Sequence, residues 1–170
     1  MKREEILETL APRVEITTAT AIKTNEVNAK FLNDGEGKKL NVLGDQMIIK
    51  LTGKDTNNQF TLVQDQIEPG VGIPLHVHDN ENEIFRVLEG ELEIGVGDQK
   101  RILKAGDLGF APRGIPHYWR AVGDKKVLMD TSVFPAGLEN MFSELGNLPS
   151  GPPDFAKIVD ICGKYGVRFL

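Results

Sequence analysis

The chain has 170 residues, 40% of them hydrophobic, with 20 basic and 25 acidic side chains and a net charge of -5. That length accommodates one domain with a proper core, and the acidic balance argues against a nucleic-acid footprint. The single cysteine, Cys162, excludes an internal disulfide and reads as a buried thiol in an apolar stretch.

In chain order, residues 1–36 read as an adapter. One or two helical turns are expected at residues 4–10, with Ile6, Leu7 and Leu10 on one side. The charged start Met1-Lys2-Arg3-Glu4-Glu5 is followed by no apolar h-region, and no run approaches the ~20 apolar residues of a membrane span. A cytoplasmic protein with no membrane partner is expected. A turn at 33–37 leads into a barrel expected over residues 37–135. Its strands are expected at 39–43, 46–51, 59–67, 75–78, 83–88, 91–96, 100–103, 108–111, 117–122 and 126–134. Turn signals such as Gly44-Asp45, Gly53-Lys54-Asp55 and Gly97-Asp98 separate them. Many short strands at even spacing indicate an all-β barrel or sandwich. Met47-Ile48-Ile49 and Val127-Leu128-Met129 are apolar on both parities, which implies sheets covered on both faces by a second sheet and by a helix or subunit partner.

After residue 135 the period changes. Leu138, Met141, Phe142 and Leu145 are spaced as a helix face. Pro149 and Pro153 bracket a break, and Asp154 is placed to cap a second helix with Phe155, Ile158, Val159 and Cys162 on one stripe. Residues 136–170 are therefore expected to form a helical extension that packs outside the barrel as scaffold.

All three histidines fall in one two-part pattern. Its first part is Gly70, five residues, His76, one, His78, four, Glu83, six, Gly90. Its second is Gly106, five residues, Pro112, one, Gly114, two, His117. Imidazole and carboxylate bind divalent transition metals at neutral pH. Residues two apart on a strand share a face, so His76 and His78 point the same way. A hairpin through Asp79-Asn80-Glu81-Asn82 is expected to set Glu83 opposite them, and a distant strand delivers His117. Glu81 has the same strand parity and competes for the carboxylate position; Glu83 fits the spacing better.

The two-part pattern resembles the paired motifs of the cupin superfamily, with 15 residues between Gly90 and Gly106 as in compact members. It departs at Ala121, where the family often has Asn. The resemblance implies a double-stranded β-helix (cupin jelly-roll barrel), with His76, His78, Glu83 and His117 holding one divalent ion: Fe, Mn, Ni, Co, Cu or Zn. It also implies pairing into a homodimer. The stretch from Asn82 to Leu92 and the tail Tyr165-Gly166-Val167-Arg168-Phe169-Leu170 look like the quercetinase-like group. That group uses the Glu as ligand and base in oxygen-dependent cleavage of an enol.

Strand parity places Phe85 and Val87 with Glu83 and Trp119 with His117, and Met47 and Phe110 are expected companions; Phe85, Trp119, Phe110 and Met47 are the expected substrate contacts. A mostly apolar pocket suits a planar organic molecule. Two further readings stay open at this point: a metal-bound cupin that binds or senses a small molecule without turnover, and a cupin isomerase. Fold and metal do not fix reaction.

Overall fold

The computed structural model describes residues 27–149 and 151–170. The helix expected at residues 4–10 lies outside them. The described chain forms eleven strands and three helices. In order these are β1 (Lys38–Val42), β2 (Asp45–Leu51), α1 (Gly53–Thr56), β3 (Thr61–Ile67), β4 (Gly72–His78), β5 (Asn82–Glu89) and β6 (Glu91–Val96). They continue as β7 (Gln99–Lys104), β8 (Leu108–Ala111), β9 (His117–Val122), β10 (Val127–Phe134), α2 (Leu138–Gly146), α3 (Phe155–Lys164) and β11 (Val167–Phe169).

Two antiparallel sheets result. One has six strands in the order β1-β2-β3-β10-β5-β8, and the other five in the order β11-β4-β9-β6-β7. This is a double-stranded β-helix with C-terminal helices. Alternation does the sorting. In β10 every second residue, Val127, Met129, Thr131 and Val133, is buried while those between are partly exposed. At Gly90, between β5 and β6, φ is +81° and an added Cβ would collide with the Lys126 carbonyl. Only glycine tolerates that turn.

The inner face of the six-stranded sheet has two covers. Over β10, β5 and β8 lies the five-stranded sheet. There Ile67, Phe85, Val87 and Met129 pack against Leu92, Ile94, Trp119 and Ala121. Over β1, β2 and β3 lie α2 and α3. There Val42, Met47, Ile49 and Val63 pack against Leu138, Met141, Leu145, Ile158 and Cys162. Burying a side chain such as Phe85 or Leu138 contributes roughly 1.5–3 kcal/mol.

The C-terminal segment is built into the fold. Glu139 of α2 accepts hydrogen bonds from Gly53 N (2.8 Å) and Gly137 N (2.7 Å). Asp154 caps α3 as expected, accepting from Lys157 N at 3.1 Å. The terminal β11 pairs with β4, with Phe169 opposite His76 and Val167 opposite His78. Arg168 of β11 also grips Asp79 with two hydrogen bonds of 2.7 and 3.2 Å. The extension thus packs its helices on the sheet as expected and also supplies a strand and part of a wall.

Candidate metal centre

His76 and His78 end β4 on a shared inward face. β9 pairs with β4 so that His117 stands directly opposite His76. Glu83 arrives differently from the expected hairpin. β4 and β5 belong to different sheets, so the chain crosses from one to the other over residues 79–81. Glu83 therefore faces the histidines across the interior. Spacing alone does not distinguish a hairpin from a crossing of this length.

The four side chains are buried, each at most 5% exposed. One ligand atom from each lies within 4.8 Å of all the others. Glu83 Oε2 is 3.0 Å from His117 Nε2 and 3.8 Å from His78 Nε2. The far nitrogens are held from behind. His76 Nδ1 lies 2.8 Å from the Pro74 carbonyl and His117 Nδ1 3.0 Å from that of Ile115. Each ring thus donates to the carbonyl two residues upstream, which fixes the tautomer that leaves Nε2 free as a ligand. For His78 the backing group is Glu81, 3.6 Å from Nδ1 and 7% exposed. Glu81, the competing carboxylate in the sequence, lies behind the His78 ring and does not join the four.

Electrostatics agree with this arrangement. Burial, reinforced by His117, pulls His76 down to about 4, leaving it neutral at physiological pH. Burial also opposes charge on His78, but the Glu83 and Glu81 carboxylates outweigh it and the net shift is upward. Burial opposes ionisation of Glu83, and the three histidines overcome that and hold it below the usual carboxylate range. A carboxylate kept ionised among imidazoles fits a divalent cation, and the donor set suits transition metals.

His76, His78 and Glu83 border a cavity of about 80 Å³. Met47, Phe85 and Trp119 line it. Phe110 does not. It is 51% exposed and outside the cavity, because β8 sets Ala111 opposite Glu83 and Gly109 opposite Phe85. The neighbours Phe110 and Leu108 consequently face outward. Two features escaped the sequence reading. Met141, Leu145 and Cys162 of the helices form part of the wall. Asp45 and Asp65, 3% and 2% exposed, also line it. Asp45 had read as a turn residue, yet it opens β2 on the inward parity of Met47 and Ile49; Asp65 shares the parity of Val63 and Ile67. Among the described residues no Lys or Arg lines the cavity.

Residues 64–134 match the cupin domain family. The chain is 29% identical over 118 residues to quercetin 2,3-dioxygenase of Bacillus subtilis, covering 69% of this chain and 34% of that protein. It is 31% identical over 93 residues to oxalate oxidase 1 of Hordeum vulgare, covering 50% of this chain and 46% of that one. The chain thus spans about a third to a half of the length of these relatives. An RmlC-like cupin structure from Shewanella frigidimarina superposes with a TM-score of 0.57 at 18% identity, over 66% of this chain and 96% of that one. The fold, a cupin-domain match over residues 64–134 and the four-residue cluster agree with one another, and the chain resembles quercetin dioxygenase-like proteins of the cupin superfamily. Where the motif departs, at Ala121, the backbone still closes: Ala121 N donates to Val71 O (2.9 Å) and its carbonyl accepts from Gly70 N (3.0 Å).

Proposed function

We propose that His76, His78, Glu83 and His117 hold one divalent transition-metal ion, and that the protein is a quercetinase-like dioxygenase of a small, planar, enolisable molecule. The observation that supports this best is the position of Glu83. It stands within 3.0 Å of His117 Nε2, inside the ligand cluster, and also borders an apolar cavity. A bound ion would supply Lewis acidity, stabilising an enolate and its approach to dioxygen. Glu83, held ionised by the histidines, is the base that accepts the enol proton at its carboxylate oxygen. Phe85, Trp119 and Met47 exclude water and hold the flat face of the substrate.

The cavity limits substrate size. Its 80 Å³ is about half of the ~150 Å³ that encloses a benzene molecule. A ring must therefore extend through the mouth, marked by the 43% exposed Leu43 on the cavity wall. Among the described residues no basic side chain stands on the wall, which offers a dicarboxylate such as oxalate no counter-charge beyond the ion itself. The test is oxygen uptake by protein reconstituted separately with Fe, Mn, Ni, Co or Cu, against a panel of flavonols and β-dicarbonyls. Uptake coupled to substrate loss is expected for at least one enol. Tight binding with no uptake for any metal would replace the oxygenase reading with that of a binding protein.

Association into a homodimer is part of the same proposal. The exposed apolar side chains Ile102, Leu108 and Phe110 supply surface for it. Sedimentation showing only an 18.8 kDa species at micromolar concentration would refute it.

A further inference from the structure

The wall of the cavity contains a second polar group. Asp45 and Asp65 sit on the adjacent strands β2 and β3, both inward and both buried. Thr131 Oγ1 donates to Asp65 Oδ2 at 2.5 Å. No donor reaches Asp65 Oδ1 or Asp45 Oδ1, although both atoms are buried. An unpartnered buried carboxylate oxygen is costly, and a native structure retains one where something else binds it. Both residues line the cavity that also contains His76, His78 and Glu83. β3 lies two strands from β5, a lateral step of roughly 10 Å. That spacing corresponds to opposite ends of a single-ring ligand. Asp45 is also two residues from Leu43 at the mouth, so a molecule seated on the four-residue cluster passes the pair on its way out.

We infer that Asp45 and Asp65 form a second anchor, which accepts a hydrogen bond from a hydroxyl at the end of the ligand remote from the His/Glu cluster and rejects a carboxylate there. This rests on the reading that the cluster binds a metal and that an enol chelates it. The pair has the chemistry for such a choice. The two carboxyls occupy neighbouring inward positions of β2 and β3, close enough for each to bear on the other's ionisation. Burial pushes Asp45 up to about 6, and burial together with the Asp45 charge raises Asp65 well above its ordinary value. Both effects make the pair a poor neighbour for a further anion. It offers an acceptor to a neutral hydroxyl and repels an anion, with no Lys or Arg on the wall among the described residues to offset it.

Three hydroxypyranones with one chelating head separate the possibilities. Kojic acid carries a remote hydroxymethyl group, allomaltol a methyl group in its place, and comenic acid a carboxylate. Binding is followed by calorimetry and by the absorption of the chelate, without oxygen, on protein reconstituted with Ni²⁺. Kojic acid is expected to bind at least about tenfold more tightly than allomaltol, since a site built for a hydroxyl discriminates strongly against its absence. Comenic acid should be the weakest. In Asp45→Ala and in Asp65→Asn the kojic acid advantage should fall to within about threefold, with allomaltol little changed. Equal binding of kojic acid and allomaltol to the wild type, both forming the chelate, overturns the anchor and leaves the metal reading standing. That comparison needs no variant, so a variant that fails to fold does not protect the idea. If the protein takes up Ni²⁺ stoichiometrically and none of the three forms a chelate, the enol-chelation reading itself falls, and the anchor with it.

Discussion

The six-stranded sheet presents one continuous inner face, and its two ends have different partners. Under β10, β5 and β8 the partner is another sheet, and alternate residues from both sides interlock as in any β-sandwich core. Under β1, β2 and β3 the partner is a pair of helices joined to the barrel by Glu139 and β11. The sheet-covered end contains the His/Glu cluster and the helix-covered end contains the Asp45–Asp65 pair. The cavity runs between them. A strand framework sets ligand geometry at one end, while the other end is covered by helices that pack on the same sheet. Chemistry at the first end and selectivity at the second is the division of labour this implies.

The largest expected effect is at the sheet-covered end. Replacing His76 and His78 together by Ala removes two of four ligands from the face of β4. Stoichiometric metal, measured by elemental analysis after dialysis, should disappear while the strand spectrum by circular dichroism is kept. Full retention of metal would place the site elsewhere. The equivalent change at the helix-covered end, Asp45→Ala, should leave metal content untouched.

Next is Glu83→Gln. The amide keeps the size and a weak oxygen ligand but cannot take the enol proton. Loss of a general base is typically worth about 10²–10⁴-fold in rate. Turnover of an enol substrate should fall by that order in kcat, with appreciable metal retained. A variant that keeps wild-type turnover would show that Glu83 is a ligand only.

The two ends differ also in how far the sequence disclosed them. The histidine and glutamate spacings are set by strand pleat and turn length, so they were readable, and parity put Phe85 and Trp119 on the faces of Glu83 and His117. The crossing between β4 and β5 was not, because four residues serve a hairpin and a crossing equally. Phe110 went astray for a local reason. Leu108-Gly109-Phe110-Ala111 offers large apolar residues on one parity and small ones on the other. Hydrophobicity alone picks Phe110 and Leu108, but the barrel interior has room only for Gly109 and Ala111 beside Phe85 and Glu83. For Asp65 a signal did exist. In Thr61-Leu62-Val63-Gln64-Asp65-Gln66-Ile67 it stands on the parity of Val63 and Ile67. A charged residue on an otherwise apolar face is a reason to look for a partner. That a helix covers one sheet face was legible in the doubly apolar strands, but which residues of α2 and α3 reach the cavity was not, since helix amphipathicity says that a face is buried and not what it is buried against.

Cys162 reports on the helix cover directly. It is 3% exposed, lines the cavity from α3, and burial pushes its thiol up to about 11. An ordinary thiol titrates near 8.5. At pH 8 the difference in thiolate fraction alone should slow reaction with a disulfide reagent by about 10²-fold relative to the unfolded chain. A bound ligand that tethers both ends should slow it further by holding α3 down. Labelling as fast as in denaturant would mean that the helices do not close this end.

The smallest effect concerns the charge of the second anchor and its influence on stability. Asp45 has its carboxyl raised from 3.8 to about 6, first by burial. Below the unfolded value both states are protonated and the residue contributes no pH dependence. Between 3.8 and about 6 the folded protein keeps a proton that the unfolded chain releases. Stability therefore falls as pH rises through that window, and above it the loss is complete. Asp45→Asn is neutral throughout and escapes the loss. Other titrating groups, including Glu83 and the histidines, are common to both proteins and largely cancel in the difference. The midpoint of thermal unfolding of Asp45→Asn, relative to wild type, should rise between pH 4 and pH 7.5 by an amount equivalent to about 1–3 kcal/mol. For a chain of this size that is roughly 3–10 °C. The same substitution on an exposed acid such as Asp98 should show no such rise. A flat difference across the window would mean that Asp45 titrates as an ordinary solvated carboxylate, which its burial against Asp65 opposes.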